Sequence, residues 1–471
     1  MSTSERIYGR LPAPVQSLAV TVRGMRLASE RYGRAYWRRR RELPGIFALS
    51  RAELEALQMR ELRRLVEHAA RSSPYHREAL AGIDPASLRT VDDLRRLPVL
   101  EKETLRARAA DVYTLPLSRS IEGHTGGTTG KSLVVAFTRG DYQRRFAELD
   151  HFKAAHGARN GMRRATFSGK HILGRDGGHD GVFWRTNWVL RQRFYSTFHM
   201  SPDNLPRYVE DLERFRPQII DGFVSCIADL CAAVRARGRP LSYRPVAVFP
   251  TSEPLYPHQR ELMREVFGVE PRDQYASSEG APFVTECPRG RMHYLLHTGV
   301  IETDESGDSL VTAFATYGTP LIRYRIGDRI AMDEGAECGC GWDTPLVRSI
   351  EGRSIDYLFT PERGRIYSPN MANVVKNLPN AVVQAQFVQD APDRIQVRLV
   401  VDPSRYVADQ HAPIVRQEVH NRLGDAVRVD LELVPAIARE ASGKQRLVLN
   451  LCGAGAGTGE GDRMPGGSGG R

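Results

Sequence analysis

Cysteine is scarce in this sequence: six residues, at 226, 231, 287, 338, 340 and 452, are spread over a chain of 471. That is too sparse and irregular for the disulfide frameworks that staple small secreted domains. No apolar run approaches the ~20 residues needed to cross a bilayer, so no transmembrane segment is expected. The N-terminus, MSTSERIYGRLPAPVQSLAVTVRG, lacks an apolar stretch followed by a small-residue cleavage site. No secretion signal is read there, and a cytoplasmic location is expected. No internal repeat is visible. An acidic excess is missing too, since 67 Lys+Arg outweigh 56 Asp+Glu and leave a formal net charge of +11. The run Arg38-Arg39-Arg40-Arg41, after Tyr36-Trp37, raises the thought of nucleic acid or acidic lipid binding through residues 20–45. Glu30, Glu42 and Glu53 are interspersed nearby, however, and no groove-reading motif accompanies the charge. The run therefore reads as a solvated helix face, and no specific nucleic-acid partner is expected.

What is present is an ordinary globular composition, 41% hydrophobic and 26% charged. The length suggests about two to four domains. The first hundred residues are polar and helical. In LRRLVEHAARSSPYHREAL (62–80), Leu62, Leu65, Val66 and Ala69 fall on one face, and Pro74 should end the helix. Residues 88–112 read as short helices split at Pro98. SLVVAFTRG (132–140) is rich in β-branched residues and reads as a strand. From 141 to 265, helical patterns alternate with apolar strands such as 218–223 and 245–251, which argues for an α/β layered domain. Short strands dominate between 290 and 350. Past Glu351-Gly352-Arg353, two strands (QAQFVQD, IQVRLVVD), a helix (412–425) and a strand (427–434) suggest a separate small α+β domain. The glycine-rich tail cannot bury a core. The expected division is 1–110, a helical region belonging to the large domain; 111–352, its core; 353–452, the small domain; and 453–471, a disordered tail.

HTGGTTGKS (124–132) gathers hydroxyls, glycines and one lysine. It fails the Walker A pattern, because Thr125 stands where the first glycine should be and a strand-forming stretch follows where a helix is required. The alternative is a hairpin loop. Thr125, Thr128, Thr129 and Ser132 would offer O–H groups, Gly126, Gly127 and Gly130 would let backbone amides approach phosphate oxygens, and Lys131 would add a point charge. An ordinary glycine-rich turn is the competing reading.

Four further segments bear on that choice. DQYASSEGA (273–281), LIRYRIGDR (321–329), IEGRSIDYL (350–358) and SGKQR (442–446) resemble, in order and spacing, the tyrosine-to-glutamate, arginine–glycine–aspartate, hinge and C-terminal lysine segments of adenylate-forming enzymes. Within that superfamily the chain is similar to the phenylacetate–CoA ligase family. LVEHAARSSPYHREAL and residues 183–223 carry the likeness, the latter toward the branch associated with capsular polysaccharide clusters. The resemblance implies an α/β fold with a large multi-layered N-terminal domain and a small mobile α+β C-terminal domain. It implies ATP-dependent activation of a carboxylic acid as an acyl-adenylate, then transfer to coenzyme A. The acceptor is the open half: an amine, a carrier protein or a sugar hydroxyl would suit the same first step. A non-catalytic nucleotide-binding scaffold is the reading from another class, against which the presence of Lys444 and Glu279 speaks.

The resemblance also implies roles. Lys444 would supply positive charge to the transition state, and Glu279 would bind Mg²⁺. Ser278 would donate to a phosphate oxygen, Tyr275 would stack on adenine, and Asp328 would take the ribose hydroxyls. Arg353 would contact ribose or phosphate, and Thr251-Ser252-Glu253 would form the adenine-side loop. The hinge departs from the usual pattern, with Ile355 where an acid is common and Asp356 one position later. Residues between 165 and 225 are expected to line the acid pocket. Phe183, Trp184 and His199 are the candidates there; plain core aromatics, at what looks like helical spacing, and a packing histidine are the competing readings. Finally, Cys287, His293, Cys338 and Cys340 compose the Cys₃His set of a closed structural zinc site, with scattered reduced thiols as the alternative.

Overall fold

A computed structural model describes the chain outside residues 1–7, 9–10, 125–132, 171, 174–180, 202, 253–254, 256, 306, 352–356, 380, 402, 404–405, 436, 438–446 and 453–471. The described residues up to Glu351 form one compact unit and those from Tyr357 onward a second. The fold class is α/β, and no helix among the described residues is long and apolar enough to cross a membrane.

The larger unit opens with helices Ala13–Arg31, Arg34–Ile46 and Arg51–Ser72. The third starts at a capping box in which the Ser50 side chain accepts from Glu53 N and Glu53 reaches back to the Ser50 backbone. It ends before Pro74, which opens the next helix, Pro74–Ala79, where a missing N–H costs nothing. A five-stranded sheet follows in the order Trp184–Asn187, Gln192–Ser196, Arg164–Ser168, Ile219–Phe223, Ala247–Thr251. Four strands run parallel and the first is antiparallel at the edge. Parallel strands need both faces covered, and Phe167, Ile220 and Val248 are fully buried there among helices Leu205–Phe215, Val224–Ala236 and Pro257–Phe267. A second, antiparallel five-stranded sheet has the order Arg329–Met332, Leu346–Glu351, Met292–Tyr294, Val284–Glu286, Gln274–Tyr275. Gly299–Thr303, Ser309–Ala313 and Tyr324–Arg325 make a third sheet.

Several expected elements change shape. The strand foreseen at 132–140 is Val134–Phe137; it stops because Thr138 caps the helix Arg139–Ala155, exchanging side-chain and backbone hydrogen bonds with Asp141. Of the aromatics of 183–198, which looked helix-spaced, Trp184, Phe194 and Tyr195 stand on the hairpin strands Trp184–Asn187 and Gln192–Ser196, with Phe183 and Phe198 just beyond their ends. Within HYLLHTG, Leu296–Thr298 is a 3₁₀ turn between two strands rather than part of one.

The second unit has a four-stranded sheet in the order Arg428–Leu433, Arg394–Val401, Val382–Ala391, Val448–Asn450, with the helix Ala408–Leu423. It also contains a hairpin, Tyr357–Thr360 with Gly364–Tyr367, and a helix, Ser368–Asn377, that the sequence pattern did not disclose. Leu358, Phe387, Val397 and Val419 are fully buried in a core of its own.

Candidate functional site

The site is assembled from the two edge strands of the second sheet, Gln274–Tyr275 and Arg329–Met332. Tyr275 ends a two-residue strand held in register opposite Val284. Its hydroxyl donates to Asp328 Oδ2 at 2.8 Å. Asp328 sits between the strands Tyr324–Arg325 and Arg329–Met332, where its own carbonyl accepts from Ser309 N. An aromatic ring and a carboxylate, separated by 53 residues, thus lie side by side.

After Tyr275 the chain turns sharply. Gly280 N donates to the Ser277 carbonyl at 3.2 Å, and Ala281 N donates to Ser277 Oγ at 3.1 Å. Gly280 has φ of +106°, and a Cβ there would lie 2.8 Å from Thr316 Cγ2. Only glycine meets both conditions without strain. The turn exposes Ser278 and buries Glu279, whose Oε1 lies 3.4 Å from Lys102 Nζ. The strand Ile121–His124 passes against the same turn: a Cβ on Gly123 would lie 3.0 Å from the Ser278 carbonyl oxygen. That strand pairs antiparallel with Val134–Phe137, His124 opposite Val134. The strands flanking the glycine-rich segment are therefore those of a hairpin, which excludes the strand-to-helix geometry of a Walker A loop.

Arg145, from the helix Arg139–Ala155, fastens the turn. Its guanidinium donates to the carbonyls of Gly280 at 2.6 Å, Ala281 at 3.1 Å and Ser277 at 3.4 Å. Burial pushes Arg145 down to about 10, opposed by the charges of Asp141, Glu148 and Glu279. It stays protonated at neutral pH. Neither Arg145 nor Lys102 stood out in the sequence. The helix carrying Arg145 buries Asp141, Gln143, Glu148 and Asp150 as well, so no apolar stripe marks its inner face.

Ser252 follows the strand Ala247–Thr251 with φ of +71°. A left-handed serine costs on the order of 1 kcal/mol and is typical of positions whose conformation serves a ligand. Phe183 is buried in the core of the parallel sheet and stacks on Tyr208 at 5.4 Å. Trp184 packs at the edge of that core. His199 stacks on Phe183 at 5.7 Å, with Nδ1 at 2.7 Å from Ser196 Oγ. Of the other expected site residues, Thr125, Gly126, Gly127, Thr128, Thr129, Gly130, Lys131, Ser132, Glu253, Arg353 and Lys444 lie outside the described residues.

A second cluster joins three segments of the larger unit. One ligand atom each from Cys287, His293, Cys338 and Cys340 lies within 4.8 Å of all the others. Cys287 Sγ is 3.5 Å from Cys338 Sγ, and Cys340 Sγ is 3.4 Å from His293 Nε2. A tetrahedron with zinc–sulfur bonds of about 2.3 Å has sulfur–sulfur edges of roughly 3.7 Å, so the donors fit the ion in number, kind and spacing. The other ring nitrogen of His293, Nδ1, meets Thr344 Oγ1 at 2.9 Å, the outer-shell contact that orients a ligating imidazole.

The fold is that of the adenylate-forming ligases. Over 86% of this chain and 91% of the other, it matches 2-hydroxyisobutyryl-CoA ligase bound to its acyl-AMP and CoA, with a TM-score of 0.56 and 21% identity. The same ligase in the postadenylation state gives a TM-score of 0.55 at 20% identity. Residues 358–451 match the family described as the CapK C-terminal domain. Protein CapK of Staphylococcus aureus is 30% identical, over 94% of this chain and 98% of its own length. Phenylacetate-coenzyme A ligase of Thermus thermophilus is 28% identical, over 87% of this chain and 99% of that one. The chain belongs to the CapK branch of the phenylacetate–CoA ligase family, within the adenylate-forming superfamily.

Proposed function

We propose that this protein is an AMP-forming acid–CoA ligase. It joins a carboxylic acid to AMP with release of pyrophosphate, then passes the acyl group to the thiol of CoA. The observation that carries the reading is the convergence of the Tyr275–Asp328 pair, the Ser278–Glu279 turn and the strand leading into the glycine-rich segment.

In the first step a carboxylate oxygen attacks the α-phosphorus, the bond to the β-phosphate oxygen breaks, and pyrophosphate leaves. Two anions must meet, so positioned donors and cations dominate the catalysis. Tyr275 stacks on adenine and Asp328 accepts from the ribose hydroxyls, with Ser252 and Glu253 on the adenine side and Arg353 toward ribose or phosphate. Ser278 and the amides and hydroxyls of Thr125–Lys131 take the phosphate oxygens, and Lys444 supplies charge at the α-phosphate. Glu279 would hold Mg²⁺, which shields the phosphates; one carboxylate beside phosphate oxygens is a donor set that suits this ion. Phe183, Trp184 and His199 border the acid. In the second step the CoA sulfur attacks the acyl carbon, AMP leaves, and the thiol proton passes to solvent. The test is a screen of carboxylic acids for pyrophosphate release. The expected result is one class of acid that drives release without CoA and yields a thioester with it. Release that no acid stimulates, or an adenylate consumed by amines and not by CoA, would overturn the reading.

Arg145 acts here as a positioning residue. Arg145→Met should leave the carbonyls of the 277–281 turn unpaired, lowering stability by about 3 kcal/mol and acid-dependent ATP–pyrophosphate exchange by about tenfold. The exchange loss should persist at temperatures where circular dichroism shows the variant folded.

Cys287, His293, Cys338 and Cys340 hold a structural Zn²⁺, since four protein ligands leave no open position for chemistry. Elemental analysis should find about one zinc per chain. Cys338→Ser should remove it and lower the melting temperature by roughly 5 °C or more. A zinc-free protein of unchanged stability would count against the site.

A further inference from the structure

Arg145 also lines an open cleft of about 370 Å³, bordered by residues of the helices Arg34–Ile46, Arg51–Ser72 and Arg139–Ala155 and of the 3₁₀ turn Leu296–Thr298. None of the residues assigned above to nucleotide, acid or metal lines it. Its walls hold five arginines, at 38, 39, 64, 144 and 145, against three glutamates, at 42, 61 and 148. Four of the arginines have carboxylate partners. Arg38 faces Glu42 at 3.7 Å, Arg39 faces Glu148 at 2.7 Å, Arg64 faces Glu61 at 2.7 Å, and Arg144 faces Asp141 at 2.9 Å. Arg145 differs, because its hydrogen bonds go to neutral carbonyls.

Asp141, Glu148 and Glu279 act on Arg145 through space, but the five arginines of the wall outnumber its three glutamates, which leaves positive potential in the cleft. His297, also in the wall, bonds Glu148 through Nε2 at 3.1 Å, while its buried Nδ1 has no partner among the described residues. Two guanidiniums are held over aromatic faces, Arg145 over Phe283 at 4.6 Å and Arg144 over Tyr317 at 5.2 Å. This fixes flat, bidentate donors in place and gives a bound molecule apolar surface to lie against. The volume falls in the range of small-molecule sites.

We infer that this cleft binds a small polyanion, a phosphate ester or a di- or tricarboxylate with a compact organic body. Arg145 and the rim arginines Arg38 and Arg64 serve as its cations. The inference stands apart from the ligase reading and survives if that fails. The test is calorimetric titration of the full chain with inorganic phosphate and, separately, citrate, at constant ionic strength. Saturable binding of at least one probe is expected, and the tighter of the two identifies the anion class. Arg38→Glu combined with Arg64→Glu should weaken binding by about tenfold. Arg71→Glu, an exposed change on the helix that carries Arg64 but outside the cleft, should change it by less than about twofold. No saturable binding of either probe would overturn the inference. So would equal weakening by Arg71→Glu, or binding that the double variant leaves intact.

Discussion

Lys444→Ala should lower acid-dependent ATP–pyrophosphate exchange by roughly 10²–10³-fold while the protein remains folded. The carboxylate and the α-phosphate are both anionic, and negative charge accumulates on the phosphoryl oxygens as they meet. A lysine ammonium is a compact point charge that can neutralise that build-up. Alanine replaces it with nothing, and water in the vacated space is a poorer stabiliser because it must reorient as charge develops. Attack of CoA on a finished acyl-adenylate places no new charge on phosphorus. Thioester formation from chemically prepared adenylate should therefore fall far less than exchange does. Equal loss in the two assays would show that the residue serves general integrity rather than the first step. Residue 444 lies outside the described residues, so the kinetic comparison is the decisive measurement.

The second large effect is expected at Glu279. Glu279→Gln keeps the shape of the turn but removes the carboxylate that Lys102 faces at 3.4 Å. An amide is a weak magnesium ligand, and the change removes one negative charge from a largely buried setting. Exchange should drop by about 10²-fold, and the magnesium concentration for half-maximal rate should rise. A magnesium titration of variant and wild type reads both quantities. An unchanged half-saturation point would argue against Glu279 as a magnesium ligand and leave its contact with Lys102 as its role.

The motifs were legible because they are local. Tyr275 through Glu279 and Arg325 through Asp328 are short strings whose residue types already announce a turn and its donors. Their meeting was not legible from either string, since the Tyr275–Asp328 bond spans 53 residues and depends on sheet order. The parallel strands at 219–223 and 247–251 were readable as apolar runs bounded by turns. The 183–198 hairpin was not, because aromatics at intervals of three and four fit a helix as well as a strand edge. Arg145 escaped for a different reason: a buried arginine that satisfies itself on backbone carbonyls leaves no complementary acid in the sequence to betray it. The Cys₃His cluster was visible as a ligand set. Its spacing of 3.4 and 3.5 Å, which gives the set chemical meaning, needed the fold.

One connection ties these parts mechanically. The strand Val134–Phe137 runs from the end of the glycine-rich segment directly into the Thr138 cap, and seven residues later the same helix delivers Arg145 to the carbonyls of 277, 280 and 281. A single strand-and-helix connection therefore links the anchor of the 277–281 turn to the residues that follow the glycine-rich segment. On the proposed reading, a change that loosens this connection, at Thr138 as much as at Arg145, should disturb the turn at 277–281 and the residues following the glycine-rich segment together.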